Sequence, residues 1–89
     1  MKAVITVIGM DRVGIIAAVS ALLAESNSNI LDITQTIMDK MFTMIMFVDN
    51  SKINITFAEL ADKLTKEGIK LGLEIRIQHE DIFNSMHRI

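Results

Sequence analysis

Ala3-Val4-Ile5-Thr6-Val7-Ile8-Gly9-Met10-Asp11-Arg12-Val13-Gly14-Ile15-Ile16 decides the fold. The stretch begins inside a strand that spans Lys2 to Ile8. Ala3, Ile5 and Val7 lie on one face, and Val4, Thr6 and Ile8 on the other. Both faces are mostly apolar, which is the pattern of a central strand. A helix from about Arg12 to Glu25 follows, with Ile15, Ile16, Val19, Leu22 and Leu23 on one stripe and Asp11 as its N-cap. Two glycines, an acid and a base therefore stand where a strand runs into a helix N-terminus. Backbone N–H groups at such a point lack intrahelical partners, and the helix dipole favours a negative group beside them.

The remaining chain divides in the same way. Ser26-Asn27-Ser28-Asn29 ends the helix, because these side chains compete for backbone hydrogen bonds. Ile30 to Met38 alternates cleanly, with Leu31, Ile33 and Ile37 against Asp32, Thr34 and Thr36, as an edge strand does. Asp39-Lys40 forms a tight turn into Met41 to Asp49, a strand that is apolar on both faces. Thr56-Phe57-Ala58-Glu59 is a capping box, and the helix it opens runs to Gly72. Leu73 to Glu80 is a second edge strand.

The element order is β-α-β-β-α-β. With the first and third strands central, right-handed crossovers give an antiparallel sheet of order 4-1-3-2 with both helices on one face. The fold class is α+β, a ferredoxin-like sandwich. Phe42, Met44, Met46 and Val48 should join Leu31, Ile33 and Ile37 under the helices. Ile45 and Phe47, with Val4 and Ile8, should lie on the open face among Thr34, Thr36, Thr43 and Arg76. The domain is expected to span residues 1–80. The tail, 81–89, carries Ile82, Phe83, Met86 and Ile89 at helical spacing, and is expected to dock on the open face or on a partner.

Composition narrows the functional classes. The chain has 89 residues and 51% hydrophobic content, enough for one small domain with a real core. It has no Cys, so neither a disulfide framework nor a thiolate zinc site is available. Nine scattered basic residues, a net charge of −2 and no Trp or Tyr argue against direct nucleic-acid binding. No signal-peptide pattern or membrane-spanning run is present, so a cytoplasmic location is expected. His79, Glu80, Asp81 and His87 have no compact ligand spacing, so no metal is expected, nor any cofactor. No nucleophile–base arrangement or phosphate loop points to an enzyme. The methionines fall mostly at core-facing strand positions and read as packing.

Gly9-Met10-Asp11-Arg12-Val13-Gly14-Ile15-Ile16, the Val19-x-x-Leu22-Leu23 stripe, Asn29-Ile30-x-Asp32-Ile33-x-Gln35 and the Phe42–Val48 strand together resemble an ACT domain over residues 2 to 80. The whole chain, through Arg76 to Ile89, looks like the small stand-alone UPF0237 family. It is also similar to the amino-terminal ACT domains of formyltetrahydrofolate deformylase and the glycine-cleavage-system repressor. The resemblance implies a regulatory module whose amino acid ligand sits between the loop after the first strand and the start of the second. That means Asp11, Arg12, Val13, Gly14 and Ile15, with Asn29 and Ile30, often across a dimer interface. Many such loops have Pro where this chain has Val13, which leaves φ at that position unset.

The expectation is a sensor of a small amino acid or related metabolite that acts as a homodimer or higher homo-oligomer, with a protein partner receiving its output. The competing reading is a ligand-free interaction domain that modulates an enzyme or a transcription regulator.

Overall fold

The computed structural model describes residues 1–81. Its elements are β1 (Lys2–Met10), α1 (Ile15–Glu25), β2 (Asn29–Met38), β3 (Met41–Asp49), α2 (Phe57–Leu71) and β4 (Leu73–His79). The sheet order is β2-β3-β1-β4, antiparallel at every pairing, which is the expected 4-1-3-2 arrangement. The tail from residue 82, expected to be helical and docked, lies outside the described residues.

One continuous core fills the space between sheet and helices. Ala3, Ile5 and Val7 of β1 and Phe42, Met44, Met46 and Val48 of β3 point into it. Leu73 and Ile75 of β4 join them. Ile15, Val19 and Leu23 of α1 meet this floor at four-residue spacing, and Leu60 and Leu64 do the same from α2. Fully burying each such Leu contributes about 1.5–3 kcal/mol. Among the described residues no helix is long and apolar enough to cross a membrane.

The ends of α2 follow the sequence closely. The Thr56 hydroxyl accepts from the Glu59 N–H, and the Glu59 carboxylate accepts from the Thr56 N–H, both at 3.1 Å. Gly72, at φ 73°, closes the helix in the left-handed region.

The start of α1 differs from expectation. Asp11 is not its N-cap, and the helix does not begin at Arg12. Gly14 is the cap residue, at φ 92° and ψ 2°, with no side-chain cap. A residue in that left-handed conformation cannot continue a right-handed helix, so no helical turn can form before it. β1 runs on past Ile8 to the Met10–Met41 pair, and the residues freed from the helix form the loop between Met10 and Ile15. The Asp11 N–H donates to the Lys40 carbonyl at 2.9 Å, fastening the loop to the β2–β3 hairpin.

The second correction concerns β2. The register shifts between Ile30 and Asp32, so Leu31 is a bulge residue and not a core position. Ile33 and Ile37 do share the helix side of the sheet, opposite Met46 and Phe42. The helices do not reach over them, however, and Leu31, Ile33 and Ile37 are all exposed. From Leu31 onward β2 is thus exposed on its helix side, and among the described residues no strand pairs with its outer edge. Asp39, at φ 58°, supplies the left-handed residue that the glycine-free hairpin turn requires.

Candidate functional site

The β1–α1 junction forms one wall of a cleft of about 500 Å3, within the size range of small-molecule sites. Asp11, Arg12, Gly14 and Ile15 line it from the loop side, with Ile16 and Ala17 from the first turn of α1. Gln35 and Ile37 of β2 and Phe42 of β3 form the opposite side. The first intrahelical bond runs from the Ala18 N–H to the Gly14 carbonyl. The N–H groups of Ile15, Ile16 and Ala17 therefore precede the helical ladder, and neither a capping side chain nor an acidic residue in the first turn answers them. They form the electropositive end of the helix dipole, facing an open cleft.

Three of the loop residues have distinct placements. Arg12 donates through Nη1 to the Leu71 carbonyl at 3.3 Å, so its charge lies at the negative end of α2. Val13 projects fully into solvent and does not line the cleft. Gly14 has nothing within 4 Å of where a Cβ would stand, so backbone conformation alone demands glycine there.

Asn29 and Ile30 sit elsewhere. They line a separate shallow depression with Ser20, Ala24, Asn27 and Ser28, beyond the other end of α1. Asn29 is paired with Asp49 at the foot of the sheet, whereas the loop leaves the sheet at the Met10–Met41 pair. Eight strand steps separate these rows, about 26 Å at 3.3 Å per residue. Within one chain the structure does not bring the loop and the start of β2 together.

The Asn29 end is held by polar contacts. The Ser28 hydroxyl donates to the Asn50 side-chain oxygen, with both residues buried. Asn27 reaches the Lys52 carbonyl at 2.8 Å. The Asp49 carboxyl is held below its ordinary value, chiefly because it accepts from the Ser51 backbone N–H at 2.9 Å. These bonds order the α1–β2 and β3–α2 turns against each other.

Gln35 was not among the residues singled out by the loop motif. Its signal was available: it is the polar residue at the alternation position between Ile33 and Ile37, on the helix side of β2 opposite Met44. Among the described residues no group of three His, Cys, Asp or Glu side chains could hold a metal ion.

This architecture and its loop define an ACT domain, and the ACT domain family model matches residues 2–78. The solved ACT domain protein of Streptococcus pneumoniae superposes with a TM-score of 0.82 at 42% identity, covering 93% of each chain. A solved protein described as a glycine cleavage system transcriptional repressor superposes at 0.75 with 32% identity. That match covers 86% of this chain and 44% of the other. A UPF0237 protein of Clostridium acetobutylicum is 57% identical over 89 residues, the full length of both chains. The chain belongs to the ACT domain family and, within it, to the UPF0237 proteins.

Proposed function

We propose that this protein is a regulatory module that binds a small amino acid at the β1–α1 junction of a homodimer. The carrying observation is the uncapped N-terminus of α1 opening into a cleft whose far wall holds Gln35. A ligand carboxylate would accept from the Ile15–Ala17 N–H groups, with Arg12 within reach of the same cleft. The ligand ammonium would find the Asp11 carboxylate and the Gln35 amide oxygen. Ile16, Ile37 and Phe42 would pack against a short side chain. The chemistry is recognition only; no nucleophile and base converge in this cleft, and the output passes to a protein partner.

The dimer reading rests on β2. Among the described residues no strand pairs with its outer edge, ten residues long, and its apolar residues Ile33 and Ile37 on the helix side are exposed. Exposed edges of this kind invite a second strand. Antiparallel pairing with β2 of a second copy is isologous, the commonest arrangement of homodimers. It also carries Asn29 of the second copy toward the loop end of this chain, so the two walls separated by about 26 Å in one chain would meet across the two-fold.

The test is a thermal-shift screen of the twenty amino acids. A ligand at 100 times its Kd should stabilise by about 2.7 kcal/mol. Gly14→Val should abolish the shift while leaving the circular dichroism spectrum unchanged, because the position is sterically open but lies at positive φ. A screen without a hit at millimolar ligand would favour the interaction-domain reading, with the bare β2 flank and open face as its surfaces.

A further inference from the structure

We propose that Met10, Met38 and Met41 form a thioether site for a soft monovalent metal cation, Cu(I). The site is distinct from the cleft beside α1 and does not depend on the amino acid reading. The three residues form a single row across three strands. Met41 is the direct cross-strand partner of both Met10 and Met38. Paired residues in a ladder project from the same face. Here that is the open face, because Phe42 beside Met41 and Gly9 beside Met10 face the helices.

Neighbouring strands lie about 4.8 Å apart, so the outer two backbones are about 10 Å apart with Met41 midway. Met is unbranched with three rotatable side-chain bonds. The outer sulfurs can therefore lean over the central one without moving the backbone. None of the three belongs to the core: Met10 is 57% exposed, Met38 71% and Met41 47%. The hairpin turn at Asp39-Lys40 fixes the spacing of Met38 and Met41, and the Asp11–Lys40 backbone bond fixes Met10 beside them.

The choice of residue carries the argument further. Strands favour β-branched and aromatic side chains, and the rows below this one on the same face use Ile8, Thr43, Thr36 and then Thr6, Ile45, Thr34. Packing alone gives no reason for the terminal row to be Met on all three strands. Sulfur is what the three positions share. Uncharged thioether donors select Cu(I) over harder divalent ions such as Zn(II) or Mg(II). The binding step is donation of sulfur lone pairs to the cation, with no change in oxidation state.

The test is competition for Cu(I), kept reduced with ascorbate, against a chromogenic Cu(I) chelator, using the full chain. One equivalent per chain should be withdrawn from the chelator. Loss of outer-shell partners alone costs about 10–100-fold in metal affinity, so removing a donor by Met41→Leu should cost at least about tenfold. Met10→Leu and Met38→Leu should each weaken binding, and the triple variant should abolish it. In methyl-labelled protein, Ag(I) should shift these three Met methyl signals and leave Met44 and Met46 in place, and Zn(II) should shift none. Leu is close to Met in volume and each position is exposed, so the amide spectrum of the single variants should be that of the folded protein. Cu(I) held no better than by free methionine would overturn the proposal. So would undiminished binding in Met41→Leu, or in the triple variant, which would assign the ion to the histidines or the amino terminus.

Discussion

The Arg12 guanidinium donates to the carbonyl of Leu71 at 3.3 Å, joining the candidate ligand loop to the last turn of α2 across 59 residues of sequence. The contact sets a cation against the negative end of a helix dipole at an exposed site. Such an interaction contributes about 0.3–1 kcal/mol at low ionic strength. Arg12→Gln should therefore lower the urea-unfolding free energy by less than about 1 kcal/mol, with a difference that shrinks as salt is added. Arg12 also lines the cleft, so an anionic ligand there would compete with Leu71 for its guanidinium. Hydrogen exchange at the end of α2 should then rise in wild type on ligand binding and be insensitive to ligand in Arg12→Gln.

The start of α2 makes stability depend on acid. The Glu59 carboxyl is held below its ordinary value of 4.5, first by the Thr56 backbone N–H and then by the Thr56 side chain. A carboxyl with a lower pKa in the folded state than in the unfolded chain stabilises the fold at pH values above its unfolded pKa. That contribution fades as pH falls through 4.5 toward the folded value, where the native carboxylate takes up its proton. Glu59→Gln keeps a capping-box side chain but cannot titrate. Unfolding midpoints measured from pH 7 down to pH 3 should fall less steeply in Glu59→Gln than in wild type.

Gly68 tests packing against propensity. An alanine in a helix interior is favoured over glycine by about 1 kcal/mol, which argues that Gly68→Ala should stabilise. A Cβ at this position would lie 2.8 Å from the Leu73 carbonyl oxygen and 3.2 Å from Ile75 Cγ1. The first of these is backbone of β4 and cannot rotate away. Overpacking of this kind costs about 1–3 kcal/mol, so the clash outweighs the propensity gain. Gly68→Ala should melt below wild type, and Gly68→Val lower still.

Most of the fold was legible because alternation and capping are local signals. Apolar residues on both faces identified β1 and β3 as central, and Thr56, Glu59 and Gly72 marked the ends of α2. The misread features depended on something that local patterns do not carry. Asp11 has the chemistry of an N-cap, but Gly14 adopts positive φ three residues later and delays the helix to Ile15. Leu31 continues the alternation on paper, and a bulge removes it from the core. Alternation places Ile33 and Ile37 on the correct face, yet how far a helix extends over a sheet is a tertiary property, and it leaves them exposed. The candidate site was legible on one side only. The loop motif marked the α1 wall, Gln35 entered through its register with Met44, and Asn29 proved to belong to the opposite end of the sheet.

The bare flank of β2 yields a test of association. Ile33 sits mid-strand on the helix side and is 38% exposed, with its neighbours Leu31 and Ile37 also uncovered. A surface substitution away from packed contacts changes stability by only about 0.5 kcal/mol. Ile33→Lys should therefore leave the folded chain nearly as stable. Two copies of the charge near a two-fold axis would repel each other and lose the apolar contact. Sedimentation at micromolar concentration should give a dimer for wild type and a monomer for Ile33→Lys.

The composite site across the two-fold can be tested without a structure of the complex. If the ligand is held by the Gly14 loop of one chain and by Asn29 of the other, Gly14→Val and Asn29→Ala should each abolish binding in homodimers. A heterodimer of the two variants contains one site with both walls damaged and one with neither. Unfolding and refolding an equal mixture makes about half the dimers mixed in a two-fold assembly. About a quarter of wild-type binding sites should therefore return, with wild-type affinity, as read by calorimetric stoichiometry. A site built within a single chain predicts no recovery at any mixing ratio, because every chain in the mixture would carry one damaged wall. The separation of about 26 Å between Asn29 and the loop, from eight strand steps at 3.3 Å each, makes the single-chain arrangement unworkable for a ligand the size of an amino acid. Recovery is the expected outcome. Full binding by the Asn29→Ala homodimer would remove Asn29 from the site while leaving the Gly14 wall standing, and no recovery in mixtures shown to contain heterodimers would overturn the shared site.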